Sequence, residues 1–482
     1  MAQYIEDDSA PQIKISVHGR SLLIYDNGIG MDGDEVSKLR RIAYSEKKES
    51  VDAGHKGIGR LAGIAVAKKL LISTTSYGDS KLHKFEFRAQ DLRDELAANK
   101  RKGITEPATL VINRHSSVET FDVDPREHYT MVELHELDKK CPELLDPNQL
   151  RQFIAEMAPV GFSSEFRYGE RISEKLFEHI PDYSPKTIWL TTAPGDRSQI
   201  YKPYNDSMSL AEPEFREISD GGPNPIAFCW YAVKGKEMLG KIRPAGNKFV
   251  VPGDSADEKK RLAGLVYKLF GFSIGDRSLP LRTLWSKDYT RALWFTGEIH
   301  IIDKAIKPTT DRADFVDNEE REAFYSAGIQ QIAKKLNAKA QEISNTRQAF
   351  DEATKCETRF TRLAKELDGG LIERTEVKTR KEELSKDLER LRKRDCKDKN
   401  VEQFVSRITH LGRALEKRLA ELKAGNGDTD HISDLAAELK MTSQARKVYR
   451  IVMETINHHF ARDRDGYYAL SGAISKALRQ KY

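Results

Sequence analysis

Two glycine-rich stretches, Asp26-Asn27-Gly28-Ile29-Gly30-Met31 and Gly54-His55-Lys56-Gly57-Ile58-Gly59, decide how this sequence is interpreted. The first directly follows the strand pattern SLLIY, so its carboxylate leaves the end of a strand and can accept a hydrogen bond from the amino group of adenine. Its glycines allow the backbone to pass close under a flat base, and Met31 can pack on that base. Asp-Asn-Gly is also a common turn sequence, so a plain turn is the alternative.

The second stretch precedes the helical pattern RLAGIAVAKKL. Glycines ahead of a helix expose backbone N–H groups, and the helix N-terminus adds partial positive charge, so the pattern suits phosphates; a flexible connection is the alternative. Residues 57–62 also fit the dinucleotide pattern G-x-G-x-x-A, with Asp79 at the place of the ribose-binding acid. The polar segment EKKESVDAGHK cannot be the buried strand which that pattern requires, and no P-loop sequence occurs.

The flanking patterns predict an α+β domain with a mostly antiparallel sheet. QIKISV and SLLIYD predict a hairpin that turns at His18-Gly19-Arg20. Further strands are predicted at LLISTTS, HKFEFRA, ATLVINR and TMVELHEL. Helices are predicted at Asp34–Ala43 and Gly59–Lys69.

The rest of the chain divides into a second α/β region and a helical tail. Asp146-Pro147-Asn148 opens a helix to about Met157, and the following segment mixes strands with Pro- and Gly-rich turns. After Ile329 the chain contains no proline, and two apolar series follow a 3-4-3-4 spacing. The series are Ala353, Cys356, Phe360, Leu363 and Leu367, and Val401, Phe404, Ile408, Leu411 and Leu415. They indicate a short coiled coil or an antiparallel helical hairpin. We therefore expect domains at residues 1–165, 166–345 and 346–482.

Composition excludes several classes of protein. With 39% hydrophobic residues, the 482-residue chain can build ordinary cores. The net charge of +5, from 80 basic and 75 acidic side chains, lacks the basic footprint of a dedicated nucleic-acid binder. Its four scattered cysteines fit neither a zinc site nor a disulfide framework. No stretch has 18 or more apolar residues, so we expect a cytoplasmic protein without a membrane partner.

In this order, with a short helix and a lysine-bearing polar segment between them, the two stretches resemble the nucleotide site of GHKL ATPases. That family includes Hsp90, the MutL repair proteins, type II topoisomerase ATPase subunits, MORC proteins and sensor kinases. In it, the D-x-G-x-G box holds adenine and the second glycine box belongs to a mobile lid over the triphosphate. The resemblance implies a Bergerat-type α/β sandwich that binds ATP and Mg²⁺, followed by an α/β middle domain and a helical, partly coiled-coil C-terminal region. It places Asp26, Gly28, Gly30 and Met31 at adenine, and Gly54, Lys56, Gly57 and Gly59 in the lid.

Finer features resemble the Hsp90 branch and its MORC-like relatives. Ser45-Glu46-Lys47 is similar to the serine-lysine segment after the first box, which implies that Lys47 contacts phosphate; a solvated lysine is the alternative. The strand at Tyr129–Leu134 resembles the family's threonine-bearing closing strand. We assign its threonine to Thr130, with Thr109 as the competitor.

Middle domains of the family also reach back to the γ-phosphate with a basic residue. Arg277 and Arg282 in DRSLPLRTLW are the candidates, and a structural role is the alternative for each.

One family element is not found in this sequence. In GHKL ATPases a helix with the motif E-x-x-x-N precedes the first strands; its glutamate activates water and its asparagine holds Mg²⁺. Residues 1–11, MAQYIEDDSAP, do not contain that motif. We therefore expect this chain to bind ATP but to hydrolyse it weakly or not at all, and the general base stays unassigned.

The leading expectation is an ATP-binding switch in which lid closure rearranges the second domain and the tail. A homodimer is expected, with a protein client or nucleic acid as its partner. The first alternative is a MORC- or MutL-like nucleic-acid clamp, for which the lysine-rich residues 378–399 are the candidate contact. Acidic residues alternate with the basic ones there, which favours a solvated helix face. The second alternative is a non-catalytic interaction protein that retains the fold.

Overall fold

The computed structural model describes residues 10–41, 59–181, 183–193, 196–238, 241–244, 262–285, 289–368, 374–394, 399–424, 439, 441–460 and 464–481. The chain forms two compact units, Met1–Ala338 and Lys339–Tyr482.

The first unit begins with an eight-stranded sheet of order β5-β4-β3-β6-β2-β1-β7-β8. Its strands are β1 (Gln12–His18), β2 (Ser21–Asp26), β3 (Lys69–Thr75), β4 (Lys81–Phe87), β5 (Ser116–Asp122), β6 (Tyr129–His135), β7 (Thr187–Ala193) and β8 (Asp196–Ile200). All neighbours are antiparallel except β1 and β7, which are parallel. The predicted hairpin and the mostly antiparallel α+β sheet are confirmed.

The helices associated with this sheet are α1 (Gly33–Lys38), α2 (Gly59–Val66), α3 (Ala89–Lys102), α4 (Ala108–Arg114), α5 (Pro142–Leu145) and α6 (Pro147–Met157). Alternate residues of the central strands, such as Leu22, Ile72 and Phe85, form one core with helix residues such as Leu92 and Ile112. Asp146 caps α6 by accepting hydrogen bonds from two backbone N–H groups of its first turn, as its sequence predicts.

Two helix predictions differ from the structure in length. The helix predicted at Asp34–Ala43 ends earlier, at Lys38. The helix predicted at Gly59–Lys69 ends at Val66, and Lys69 begins β3.

The strand predicted at ATLVINR is wrong, because these residues form helix α4. A short apolar run fits a buried helix face as well as a strand. In the structure Val111 and Ile112 are buried while Leu110 is 55% exposed, which is the pattern of a helix lying on the core. The strand of this region is β5, which begins two residues after α4 ends.

The first sheet continues beyond the predicted domain boundary at residue 165. Strand β7 pairs with β1 in the register Gln12–Thr187 to Ser16–Thr191, and β8 pairs with β7. Strands β7 and β8, which end at Ile200, therefore belong to the same sheet as β2, the strand that leads into the first glycine box. The division into three domains stays a prediction.

A five-stranded sheet of order β14-β13-β15-β10-β9 forms the rest of the first unit. Its strands are β9 (Glu214–Ile218), β10 (Ala227–Val233), β13 (Gly264–Leu269), β14 (Phe272–Ile274) and β15 (Phe295–Ile301); β11 (Gly235–Met238) and β12 (Lys241–Pro244) form a separate hairpin. Helix α7 (Gly169–His179) packs through Ile172 and Leu176 into a core with Phe228 and Trp230 of β10. Helices α8 (Ser278–Leu284) and α9 (Glu319–Gly328) follow, and Phe324 of α9 contacts Tyr267 of β13.

The second unit is helical. Helix α10 (Lys334–Asp368) begins before residue 339 and is followed by α11 (Arg374–Lys393), α12 (Lys399–Ala424), α13 (Ser443–His459) and α14 (Arg464–Lys481). The predicted apolar series of α10 and α12 meet in one core, together with an unpredicted series on α11: Val377, Leu384, Leu388 and Leu391. The ion pairs Arg380–Glu366 and Arg394–Glu352 show that α10 and the segment of α11 run antiparallel. This core therefore belongs to a three-helix bundle. A coiled coil stays a prediction.

None of the helices in the described part of the chain is long and apolar enough to cross a membrane.

Candidate functional site

One polar residue from each of four neighbouring strands lies in a row on one face of the first sheet. Asp26 at the end of β2 is opposite Thr130 of β6, which is opposite Thr74 of β3, and His83 of β4 continues the row. Two residues further into each strand the same face is apolar, as at Ile72. The row formed by Asp26, Thr130, Thr74 and His83, here called the polar row, therefore marks the edge of the core.

The carboxyl group of Asp26 is half-buried in this row. Burial raises its pKa, and the backbone N–H of Gly28, which donates to Oδ1 at 3.0 Å, acts in the opposite direction. Among the described residues, no hydrogen bond is made by the second oxygen, Oδ2. A half-buried carboxylate with one oxygen available is suited to accept a hydrogen bond from an amino group.

The first glycine box lies directly against the end of β3. Gly30 has φ +72°, and a Cβ atom there would lie 1.8 Å from the carbonyl oxygen of Thr75. Only glycine permits both this conformation and this approach. The next residue, Met31, donates its backbone N–H to Oγ1 of Thr74 at 2.9 Å.

Two further contacts fix the box at its other end. The Nδ1–H of His128 donates to the carbonyl oxygen of Gly28 at 2.8 Å. The side-chain amide of Asn27 donates to the carbonyl oxygen of Ala10 at 2.9 Å and accepts from the N–H of Gln12 at 2.8 Å. The backbone of the box is thus held on both sides, while the side chain of Ile29 is 85% exposed.

Thr74 connects the glycine box to the closing strand, and sequence reasoning missed it. Its side chain is fully buried. Its Oγ1 accepts from Met31, donates to the carbonyl oxygen of Tyr129 at 2.9 Å, and lies 3.2 Å from Oγ1 of Thr130. The signal was present in LLISTTS, since alternation places Thr74 on the same face as Leu70 and Ile72.

The structure separates the two threonines that competed for the family position. Thr130 is opposite Asp26 in the register of β2 and β6, within the polar row. Thr109 is exposed and lies on helix α4. A nucleotide-binding role for Thr130 stays a prediction.

Most of the predicted lid lies outside the described residues, namely Lys47, Gly54, Lys56 and Gly57. Gly59 is the first residue of α2. That helix packs closely on the sheet, because a Cβ atom at Gly63 would lie 3.0 Å from Leu134 of β6. Helix α2, which begins at Gly59, is therefore anchored on β6, the strand that carries Thr130.

The two candidate arginines have different environments. Arg277 is buried beside the second sheet, where its guanidinium donates to the carbonyl oxygen of Gly264, to Thr296 Oγ1 at 3.3 Å and to Tyr204 Oη at 3.0 Å. These bonds engage Arg277 within the fold. The side chain of Arg282 is 60% exposed, and its guanidinium lies 4.0 Å from the carboxylate of Asp314. Arg282 is thus the more accessible of the two cations.

Within the described residues, no group of three or more His, Cys, Asp or Glu side chains could hold a metal ion.

Comparisons with known proteins match the N-terminal part of the chain. Residues 7–130 match the family model described as "Histidine kinase-, DNA gyrase B-, and HSP90-like ATPase". The chaperone protein HtpG of Rickettsia prowazekii (strain Madrid E) is 24% identical to this chain over 122 residues. That match covers 23% of this chain and only 19% of the chaperone's length. These similarities, with the observed α+β sheet, support placing this N-terminal part of the chain in the GHKL superfamily.

Proposed function

We propose that the chain binds ATP at the polar row and the first glycine box, and that the nucleotide acts as a conformational switch with little or no hydrolysis. The observation that carries the proposal is the half-buried Asp26 carboxyl, held at the end of β2 beside a glycine box that lies on β3. The amino group of adenine would donate to Oδ2 of Asp26. The exposed backbone of Gly28 would lie under the base, with Met31 packed against it.

The same site should discriminate between bases. Guanine carries a carbonyl oxygen where adenine carries its amino group, and that oxygen would face the Asp26 carboxylate. Because two acceptors without a proton between them repel, the site favours ATP over GTP. The polar row thus supplies specificity by rejection as well as by attraction.

Phosphates would lie towards the lid. The N-terminus of α2 at Gly59 offers backbone N–H groups and partial positive charge. We propose that Lys47 and Lys56 contact the phosphates and that Arg282 is the candidate γ-phosphate contact. Mg²⁺ bound with the nucleotide would neutralise phosphate charge.

Nucleotide binding can reach the second sheet through helix α6. The last carbonyl groups of a helix have no partner within it, and here that of Glu156 accepts from Lys268 Nζ at 2.5 Å and from Ser273 Oγ at 2.6 Å. A cationic donor at a helix C-terminus is also favoured by the helix dipole. These contacts support coupling between the first sheet layer and the second sheet.

The decisive experiment is isothermal titration of the full chain with a non-hydrolysable ATP analogue and its GTP counterpart. Asp26→Asn places an amide donor at the amino group of adenine, and we expect about 10- to 100-fold weaker ATP binding and a smaller preference over GTP. The matched control is Asp122→Asn, because Asp122 lies on the edge strand β5 and pairs with Lys81. The absence of ATP binding by the unaltered chain would refute the proposal.

The nucleic-acid clamp has less support from the tail. Its candidate basic residues include Arg380 and Lys381, which form ion pairs with Glu366 and Glu416 of neighbouring helices. These cations therefore serve the helical bundle. The homodimer and the protein client stay predictions.

A further inference from the structure

A cavity of about 140 Å³ lies at one end of the second sheet and shares no residue with the polar row. Its wall is built from three parts of the chain: Ile180, Pro181 and Tyr183 after α7, residues 268–271 at the turn from β13 to β14, and residues 300–302 with Lys304 at the end of β15. Lys268 and His300 are directly opposite each other on parallel strands, so both belong to the face that α7 covers. The cavity thus adjoins buried ionisable side chains.

The carboxylate of Glu298 lies at the centre of this face, and its hydrogen bonds are already made within the described residues. Glu298 accepts from Lys202 Nζ at 2.8 and 2.9 Å, from His300 Nε2 at 2.9 Å and from Trp230 Nε1 at 3.3 Å. Its side chain and that of Lys202 are 2% and 1% exposed. Lys202 and Glu298 therefore form a neutral pair.

Lys268 and Arg277 add cationic charge to this pair. Lys268 is 1% exposed, and its ammonium donates to a backbone carbonyl, that of Glu156. Burial and the nearby Lys202 and Arg277 lower the pKa of Lys268 to about 7, although the carboxylates of Glu298 and Glu156 act in the opposite direction. One ionisable amine, that of Lys268, thus lines the cavity, and Lys202 and Arg277 lie near it. A buried cation is stabilised by a partner of opposite charge.

A second observation points to a missing partner in the same place. Tyr183 lines the cavity and is 9% exposed, and its buried hydroxyl has no hydrogen-bond partner among the described residues. Its ring stands edge-on to that of His300, with centroids 5.9 Å apart. Since nearly all buried hydroxyl groups are bonded, this one calls for an acceptor or donor that the described chain does not provide.

We propose that the cavity binds a compact oxyanion, either inorganic phosphate or a small carboxylate, which accepts a hydrogen bond from Tyr183 and places negative charge near Lys268. The volume is close to that of a cavity that holds one benzene-sized molecule, so a nucleotide is too large. The apolar walls at Leu269 and Ile301 suit the methyl group of a small carboxylate. The anion would also lie next to the contact between Lys268 and helix α6.

The test is isothermal titration of the full chain with inorganic phosphate and, separately, with acetate. Saturable binding of either anion is expected, and the anion that binds identifies the source. Tyr183→Phe removes only the hydroxyl, which has no partner to lose, so the fold should keep its stability while anion affinity falls by about tenfold. Lys268→Met should weaken binding further.

Two controls separate this site from others. Tyr168→Phe is the matched control, because its hydroxyl donates to the carbonyl oxygen of Leu210 at 3.3 Å and does not line the cavity. Asp26→Asn should leave anion binding unchanged, since Asp26 belongs to the polar row. The proposal is overturned if neither anion binds, if Tyr183→Phe and Lys268→Met bind as the unaltered chain does, or if Asp26→Asn abolishes phosphate binding. The first two results would mean that the cavity holds water only.

Discussion

Valine substitutions at the adjacent residues Thr74 and Thr75 should have different effects on the stability of the fold. Both side chains are fully buried on β3, and they point to opposite faces of the sheet. The Thr74 hydroxyl lies within hydrogen-bond distance of Met31 N, Tyr129 O and Thr130 Oγ1. The Thr75 hydroxyl has no partner among the described residues. Valine keeps the shape of threonine, so each substitution isolates the hydroxyl.

The expected magnitudes follow from these contacts. Thr74→Val leaves the N–H of Met31 without its acceptor, and an unsatisfied group of this kind lowers the free energy of unfolding by about 1–3 kcal/mol. It also frees the glycine box from β3, so we expect ATP affinity to fall by about tenfold, or about 1.4 kcal/mol. Thr75→Val removes a buried hydroxyl that is not bonded, and its effect on stability should be neutral or slightly favourable.

The assay combines urea denaturation, titration with an ATP analogue, and hydrogen–deuterium exchange of the peptide that contains Met31. Thr74→Val should speed exchange of the Met31 amide, and Thr75→Val should leave it unchanged. Equal losses of stability and affinity in the two variants would refute the reasoning, because the hydroxyl of Thr74 would then not hold the glycine box.

Three further predictions concern other parts of the chain. Gly30→Ala should abolish ATP binding and lower the free energy of unfolding by about 2–4 kcal/mol, measured in urea. Gly19→Ala is the control, because Gly19 also has positive φ, +60°, but no atom lies within 4 Å of the added Cβ. Its conformational strain should lower the free energy of unfolding by only about 1–2 kcal/mol and leave ATP binding unchanged. Burial and Lys202 lower the pKa of Lys268 from 10.5 to about 7. Above pH 7 the folded chain therefore releases a proton that the unfolded chain retains. The free energy of unfolding should consequently rise between about pH 7 and 9. Urea denaturation across that range should show a smaller rise for Lys268→Met. Phe360→Ala, in the core of the three-helix bundle, should lower stability by about 3–5 kcal/mol and reduce tail helicity by circular dichroism, with ATP binding unchanged.

Features set by local sequence were predictable. The β1–β2 hairpin follows from two alternating strands and a glycine at φ +60°, and the buried stripe of α10 follows from the 3-4-3-4 spacing. The stretch ATLVINR was predicted wrongly because five consecutive apolar or β-branched residues carry no period. Helix α11 was missed as a third bundle member because its stripe is diluted by many charged residues.

Features set by distant pairing were not predictable in the same way. Asp26 and its glycines are adjacent in sequence, so the first glycine box was visible at once. The role of Thr74 depends on its pairing with Thr130, 56 residues away, and nothing local fixes that register. The extension of the first sheet by β7 depends likewise on a parallel pairing with β1 across a long stretch of chain.

These distant pairings bear on how a nucleotide could act on the rest of the first unit. Strand β1 pairs on one side with β2, which ends in Asp26, and on the other with β7. The first glycine box and the chain leading to the second sheet are therefore attached to the same ladder. The strands of such a ladder resist movement relative to each other, because moving one strand would break many hydrogen bonds at once. Helix α6 is attached differently, because its terminal carbonyl group at Glu156 contacts the second sheet through two side chains, Lys268 and Ser273. Rearranging two side-chain contacts disturbs fewer hydrogen bonds than moving a strand does. We therefore infer that the end of α6, rather than the sheet, is where a nucleotide-driven change passes between the two sheets.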